Sequence, residues 1–282
     1  MHQIKKVCVC GAGTMGSGIA MVAAQAGFTT ILFDLNAEVL ERAKLSIQQS
    51  WAGLVDKGKI SEEANEDFHN RMIYTTNLLD CQANLIIEAI IEKLSAKISL
   101  FQQLEEINLI NTLFVTNTSS ISIQQIASEL EHPSRFAGMH FFNPAPIMKL
   151  VEIVQGTETN DQVIKLLEAI CLKMGKTPVI CKDSPGFIVN RVARPYYLES
   201  MQLLQEGETS IETIDKVLEA SGFKMGPFKL MDLIGIDINY GVSEIVYNAL
   251  GQPERLQPSP IQAAKVAEGN LGKKTGKGFY EY

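Results

Sequence analysis

Histidine is scarce in this sequence, with four in 282 residues, and cysteine is little commoner, with five. The cysteines (Cys8, Cys10, Cys81, Cys171, Cys181) are scattered, include no CxxC pair and have no histidine at ligand spacing. Neither a metal centre nor a disulfide framework is expected from them, and they read as reduced, mostly buried thiols of a cytoplasmic protein. Positive charge is also short, with a net charge of −7. That balance excludes a nucleic-acid-binding surface and leaves at most a local basic patch for a phosphate. An unbroken apolar run is missing as well. Val7 to Phe33 carries no formal charge and follows Lys5 and Lys6, in the manner of a signal peptide or anchor, but Gly11, Gly13, Gly16, Gly18 and Gly27 interrupt it. No membrane segment is therefore expected.

What is present is a globular composition, 46% hydrophobic and 20% charged, ample for a sizeable core. The length exceeds that of a usual single domain and favours two. Short β-rich runs at 4–10, 29–34, 71–76, 84–90, 112–117, 135–141, 149–154 and 177–181 alternate with helical periodicities, chiefly 19–27, 37–58, 94–107 and 161–175. Strands and helices in this alternation predict an α/β fold with a mostly parallel sheet covered on both faces. After "KDSPGFIVNR" the pattern changes to long helical periodicities without a convincing strand, "VARPYYLESMQLLQEG", "IETIDKVLEASG" and "KLMDLIGIDINYGVSEIVYNALG". The expected organisation is thus an α/β domain over 1–183 and an all-helical C-terminal domain over 184–282. "GQPERLQPSP" reads as a surface loop and "LGKKTGKGFYEY" as a glycine-punctuated tail.

At the first strand–helix junction, Gly11, Gly13 and Gly16 form G-x-G-x-x-G around Thr14 and Met15. The first glycine permits a tight turn, the second lets backbone approach a pyrophosphate, and the third lets helix and strand pack closely. The helix N-terminus then faces the phosphate charge. Asp34, ending the second strand, is placed to accept hydrogen bonds from adenosine ribose hydroxyls and to repel a 2′-phosphate. Neither Leu35 nor Asn36 offers a cation beside it. The expected cofactor is NAD rather than NADP, on a Rossmann-like domain.

"GMHFFNPAPIMKLVEIV", residues 138–154, sets His140 and Glu152 in a mostly apolar stretch. With a dinucleotide site in place, this stretch resembles the signature of the 3-hydroxyacyl-CoA dehydrogenases, and among them the bacterial 3-hydroxybutyryl-CoA dehydrogenases. The resemblance runs the length of the chain, through "GAGTMGSGIA", "IIEAIIEKLSAK", "NTSSISI", "DSPGFIVNRVARPYY", "MGPFKLMDLIG" and "LGKKTGKGFYEY". Cys10 before the glycine turn and Thr116 before "NTSS" are small departures from it. The resemblance implies NAD-dependent interconversion of (S)-3-hydroxyacyl-CoA and 3-ketoacyl-CoA, with short-chain substrates expected first. A neutral imidazole suits the proton transfer. By match to the motif, His140 is the acid/base and Glu152 orients it.

Further roles come only with the resemblance. Ser119 and Asn190 match polar contacts to the substrate; Glu92, Lys97, Ser119, Asn143 and Lys274 match cofactor contacts. Ser50 and Lys57 match contacts to the phosphorylated adenosine of coenzyme A, and their spacing of seven would put both on one face of a helix. The other histidines (His2, His69, His132) read as exposed. The helical domain is implied to cap substrate and to form a homodimer, which the apolar residues on more than one helix face also favour. A sequence this short has no room for the hydratase portion of the fused β-oxidation enzymes, so a multifunctional enzyme is not expected. Two alternatives differ in substrate or class: a 3-hydroxyadipyl-CoA or longer-chain dehydrogenase, and a non-catalytic NAD(H)-binding protein. The joint presence of His140, Glu152, Ser119 and Asn190 weighs against the second.

Overall fold

The computed structural model describes residues 4–282, so the expectation for His2 lies outside the described residues. The chain divides into two compact units after Asp183. In the first, β1 (Lys6–Cys10), α1 (Thr14–Gln25), β2 (Thr29–Phe33), α2 (Ala37–Asp56), α3 (Glu62–Asn70), β3 (Met72–Thr75), β4 (Leu85–Glu88), α4 (Leu94–Ile107) and β5 (Leu113–Thr116) come first. There follow α5 (Ile123–Ala127), β6 (Phe136–Phe141), β7 (Leu150–Gln155), α6 (Asp161–Lys173) and β8 (Thr177–Lys182).

The eight strands form one sheet in the order β3-β2-β1-β4-β5-β6-β7-β8. Neighbours are parallel except β6 and β7. Eight residues join β6 to β7, too few for the helical crossover that parallel pairing needs, so the chain turns back antiparallel. Strands β4 and β5 are buried throughout because both sheet faces are covered, and each is apolar up to its last residue, Glu88 and Thr116. Val7 and Val9 pack with Ile19, Ala23, Ile47 and Leu167 in one layer, while Cys8 and Cys10 alternate to the other face. The chain order reverses between β1 and β4. In an open sheet of this kind ligands bind beyond the carboxyl ends of the strands at that point.

Two short helices lack the apolar period that would reveal them. Helix α3 is built from "EEANEDFHN" and α5 has five residues; Ser61 and Ser122 cap them through their hydroxyl oxygens. His69 and His132 are half-buried rather than exposed, and the His69 ring stands edge-on to Trp51 at 4.9 Å. The aromatic wall between α2 and α3 draws it in.

The second unit contains α7 (Val189–Val192), α8 (Arg194–Gln205), α9 (Ile211–Ala220), α10 (Pro227–Ile234), α11 (Ile236–Ala249) and α12 (Pro260–Ala267) around Tyr197, Met201, Ile214, Phe228, Met231 and Ile236. The long third periodicity is cut at Gly235, whose φ of 103° ends α10. The proline-rich stretch leads into α12, with Pro260 at its first turn. The Asp232 carboxylate anchors the tail, accepting from the amides of Phe279 (2.8 Å) and Tyr280 (2.9 Å) and from the Tyr282 hydroxyl (3.1 Å). No described helix is long and apolar enough to cross a membrane.

Candidate active site

Two glycines of the turn after β1 are required by space. A Cβ on Gly16 would stand 1.7 Å from the Gly11 carbonyl oxygen, and one on Gly11 would stand 2.5 Å from that of Ala89. Gly11 also has φ of 104°. Gly13 differs, because a Cβ there would meet nothing within 4 Å. It caps α1 without a side-chain hydrogen bond, so the first-turn amides, with Thr14 and Met15, face that open space. The residues thus fit a pyrophosphate: close packing at the first and third glycines, and an open cradle over a helix N-terminus at the second. Asp34 holds this turn as well as facing outward. Its Oδ2 accepts from the Ala12 amide (2.8 Å) and its Oδ1 from the Asn36 amide (2.9 Å).

Beside the turn, α1 and α2 enclose a groove of about 410 Å³ whose lining includes Gly13, Thr14, Ser17, Arg42, Ser46 and Ser50. Ser50 is thus one wall of this groove. Lys57 is the exposed C-cap that follows Asp56, the last residue of α2. The residue that sequence reasoning missed here is Arg42. Its spacing of four and eight from Ser46 and Ser50 was the available signal, because i, i+4 and i+8 share a face.

At the ends of β4 and β5 a buried ionic cluster supports the loop 117–120. Glu88 is fully buried; its Oε1 accepts from Lys97 Nζ (2.6 Å) and the Ile90 amide (2.7 Å), and its Oε2 from Thr116 Oγ1 (2.6 Å). Burial pushes the Glu88 carboxyl up, against the Lys97 ammonium and these hydrogen bonds. Lys97 also reaches Glu92 Oε2 at 3.1 Å. Glu92 Oε1 accepts from Thr118 Oγ1, the Ser119 amide (3.0 Å) and Ser120 Oγ (3.0 Å). Burial tends to raise the Glu92 carboxyl, but Lys97 and the Thr118 and Ser119 donors outweigh it and hold it below the usual carboxylate range. The structure brings Glu92, Lys97 and Ser119 into one network, and Glu88 at its root was not singled out from the sequence. Asn117 Oδ1 accepts from the Phe141 amide (2.8 Å), tying the same loop to the strand that carries His140.

His140 and Glu152 stand directly opposite in the β6–β7 register. Opposed residues of an antiparallel pair share a sheet face, so a spacing of twelve in sequence becomes a contact. His140 Nδ1 and Glu152 Oε2 are 2.8 Å apart, with both residues buried. The Phe142 ring lies 4.6 Å from the imidazole. Asn143 is exposed at a cis peptide bond to Pro144. The loop it opens is fastened by Lys176, whose Nζ donates to the carbonyls of Ala145 and Met148, the latter at 2.8 Å. Burial, with Lys149 nearby, holds Lys176 below the usual lysine range. In the second unit, Asn190 lies on α7, and Lys274 donates to both oxygens of Asp237 (2.6 and 2.7 Å).

Away from these groups, three thiols that look scattered in sequence converge. Cys8 and Cys10 share a face of β1, and the turn before β4 carries Cys81 to them.

The chain matches the 3-hydroxyacyl-CoA dehydrogenase NAD binding domain over residues 6–184 and the C-terminal domain of the same family over 186–282. It is 47% identical over its full length to the 3-hydroxyadipyl-CoA dehydrogenase of Escherichia coli, of which it spans 60%. It is 40% identical to the "Probable 3-hydroxybutyryl-CoA dehydrogenase" of Deinococcus radiodurans, covering 98% of this chain and 100% of that one. The crystal structure of (S)-3-hydroxybutyryl-CoA dehydrogenase from Ralstonia eutropha superposes with a TM-score of 0.96 at 35% identity, covering 99% of each chain.

Proposed function

Because the chain belongs to the 3-hydroxyacyl-CoA dehydrogenase family, we propose that it interconverts (S)-3-hydroxyacyl-CoA and 3-ketoacyl-CoA with NAD, acting first on the four-carbon pair 3-hydroxybutyryl-CoA and acetoacetyl-CoA. The observation that carries the chemistry is the 2.8 Å contact between His140 Nδ1 and Glu152. NAD, when bound, supplies the acceptor for the hydrogen leaving C3. With Nδ1 committed to Glu152, His140 removes the hydroxyl proton at Nε2 in oxidation and returns it there in reduction. Glu152 fixes the imidazole tautomer and stabilises the imidazolium that forms.

Ser119 is proposed to donate to the C3 oxygen, from a loop that Glu92 holds by its amide and Asn117 ties to β6. Glu92 and Lys97 are proposed to stand beside the nicotinamide ribose, Asn143 to make another cofactor contact, and Asp34 to meet the adenosine ribose. Ser50, in the α1–α2 groove, and Lys57, at the end of α2, are proposed to meet coenzyme A. The roles of Asn190 and Lys274 rest on the family motifs alone. We further propose a homodimer formed by the helical unit and a cytoplasmic setting, where the five free thiols stay reduced.

The 3-hydroxyadipyl-CoA reading stands second, on the 47% identity to the Escherichia coli relative. NADH absorbance is followed with acetoacetyl-CoA, 3-oxoadipyl-CoA and a longer 3-ketoacyl-CoA, with NADPH in parallel. The highest kcat/KM is expected for acetoacetyl-CoA with NADH. A preference for 3-oxoadipyl-CoA would transfer the assignment to the second reading, and NADH binding without turnover of any substrate would overturn the catalytic one.

A further inference from the structure

Neither the acid–base pair nor the dinucleotide groove uses the three thiols under the glycine turn. Cys8 and Cys10 alternate along β1 and project from one face. Cys81 closes the turn formed by Leu78–Asp80 and brings its sulfur to the same place. The three Sγ atoms lie within 4.8 Å of one another, with Cys8 and Cys10 3.8 Å apart, and all three residues are 0% exposed.

A disulfide between Cys8 and Cys10 is a poor account of this convergence. Two residues apart on an extended strand, Cys8 and Cys10 have Cα atoms roughly 6.6 Å apart, at the outer edge of disulfide geometry. No disulfide joins any of the three. A single ion fits better. Three sulfurs each about 2.3 Å from a common centre and spread at 120° stand about 4.0 Å from one another, within the observed spacing.

We propose that Cys8, Cys10 and Cys81 form a three-sulfur site for a soft, thiophilic cation of the Cu(I) kind. Among the described residues no histidine or carboxylate joins the group as a fourth ligand. Zn(II) in closed protein sites takes four ligands, whereas thiolate sulfur selects Cu(I) among the ions that accept fewer. Loading releases thiol protons to solvent.

The test uses the reduced, full-length chain without oxygen, with Cu(I) supplied as its bicinchoninate complex. The protein is expected to draw one equivalent from the chromophore and to develop near-ultraviolet copper–thiolate absorption. Cys8→Ala and Cys81→Ala should each weaken retention by at least about 100-fold, while Cys171→Ala, which removes a buried thiol on α6, should leave it unchanged. NADH binding by each variant reports that it has folded. Copper left with bicinchoninate, retention unaffected in Cys8→Ala and Cys81→Ala, or stoichiometric uptake of Zn(II) in preference to Cu(I) would each overturn the assignment.

Discussion

Nδ1 of His140 has its partner at 2.8 Å in a buried pair, so the two residues act as a unit and fail in different ways. His140→Gln removes the proton acceptor and should lower kcat by about 10²- to 10⁴-fold while NADH binding is kept. Glu152→Gln keeps the imidazole but takes away the charge that stabilises its protonated form. It should cost at least about 10²-fold in kcat and change the pH profile, which a purely structural loss would leave in place; stopped-flow NADH absorbance from pH 5 to 9 checks both. At Glu92 the linkage to pH has a definite sign. Its carboxyl is held below the ordinary 4.5, with burial opposing and Lys97 and the Thr118 and Ser119 donors prevailing. The unfolded chain therefore binds more protons in that window, and the stability Glu92 contributes is present above pH 4.5 and lost as pH falls through its folded value. Because its side chain is 38% exposed, solvent screening limits the contribution to under about 1 kcal/mol. Glu92→Gln should thus melt slightly below the parent at pH 7, with the gap narrowing as the pH falls below 4.5, by calorimetry across that range. Glu88 carries the opposite sign, since burial raises its carboxyl.

The turn between β1 and α1 separates packing from binding at neighbouring glycines. Gly16→Ala drives a Cβ to 1.7 Å from the Gly11 carbonyl, so α1 must back away from the sheet. A stability loss of about 3 kcal/mol is expected, with NADH binding lost alongside. Gly13→Ala has open room and should melt with the parent, but its methyl fills the space over the helix N-terminus and should weaken NADH by at least about 10-fold. Paired melting curves and NADH fluorescence titrations read the contrast; equal loss of stability in both variants would show that the cradle at Gly13 is packing. This turn was legible in the sequence because glycine spacing and strand–helix order are local. Glu88 was not, since its role comes from Lys97 nine residues on and Thr116 on the next strand. Arg42 was hidden for a related reason: an exposed helical cation reads as solvated until α1 is laid beside it. The eight strands were legible as apolar runs, but the direction of β7 depends on a loop too short to cross the sheet, which is a matter of connection rather than composition.

At the scale of the whole molecule, the change from alternating strands and helices to helices alone marked where one unit gives way to another, because periodicity is averaged over many residues and survives local error. The breaks inside the helical unit were less legible. Gly235 divides α10 from α11 by its backbone conformation while the apolar pattern runs through it. What that unit leaves uncovered supports the last expectation. Val217, Phe223, Leu233 and Ile238 are each more than half exposed, and Tyr196, Leu203, Ile214, Val217 and Leu218 line an apolar groove of about 410 Å³ between α8 and α9. Exposed apolar surface of this kind marks an interaction face, and a second copy of the chain would cover it symmetrically. Sedimentation at micromolar concentration should therefore give twice the 31.1 kDa of one chain. Val217→Glu places a charge at the half-exposed edge of the groove, where the folded monomer can solvate it and a dimer interface cannot, so it should shift the mass to that of one chain without lowering helix content. A single-chain mass for the parent at that concentration would remove the dimer from the proposal.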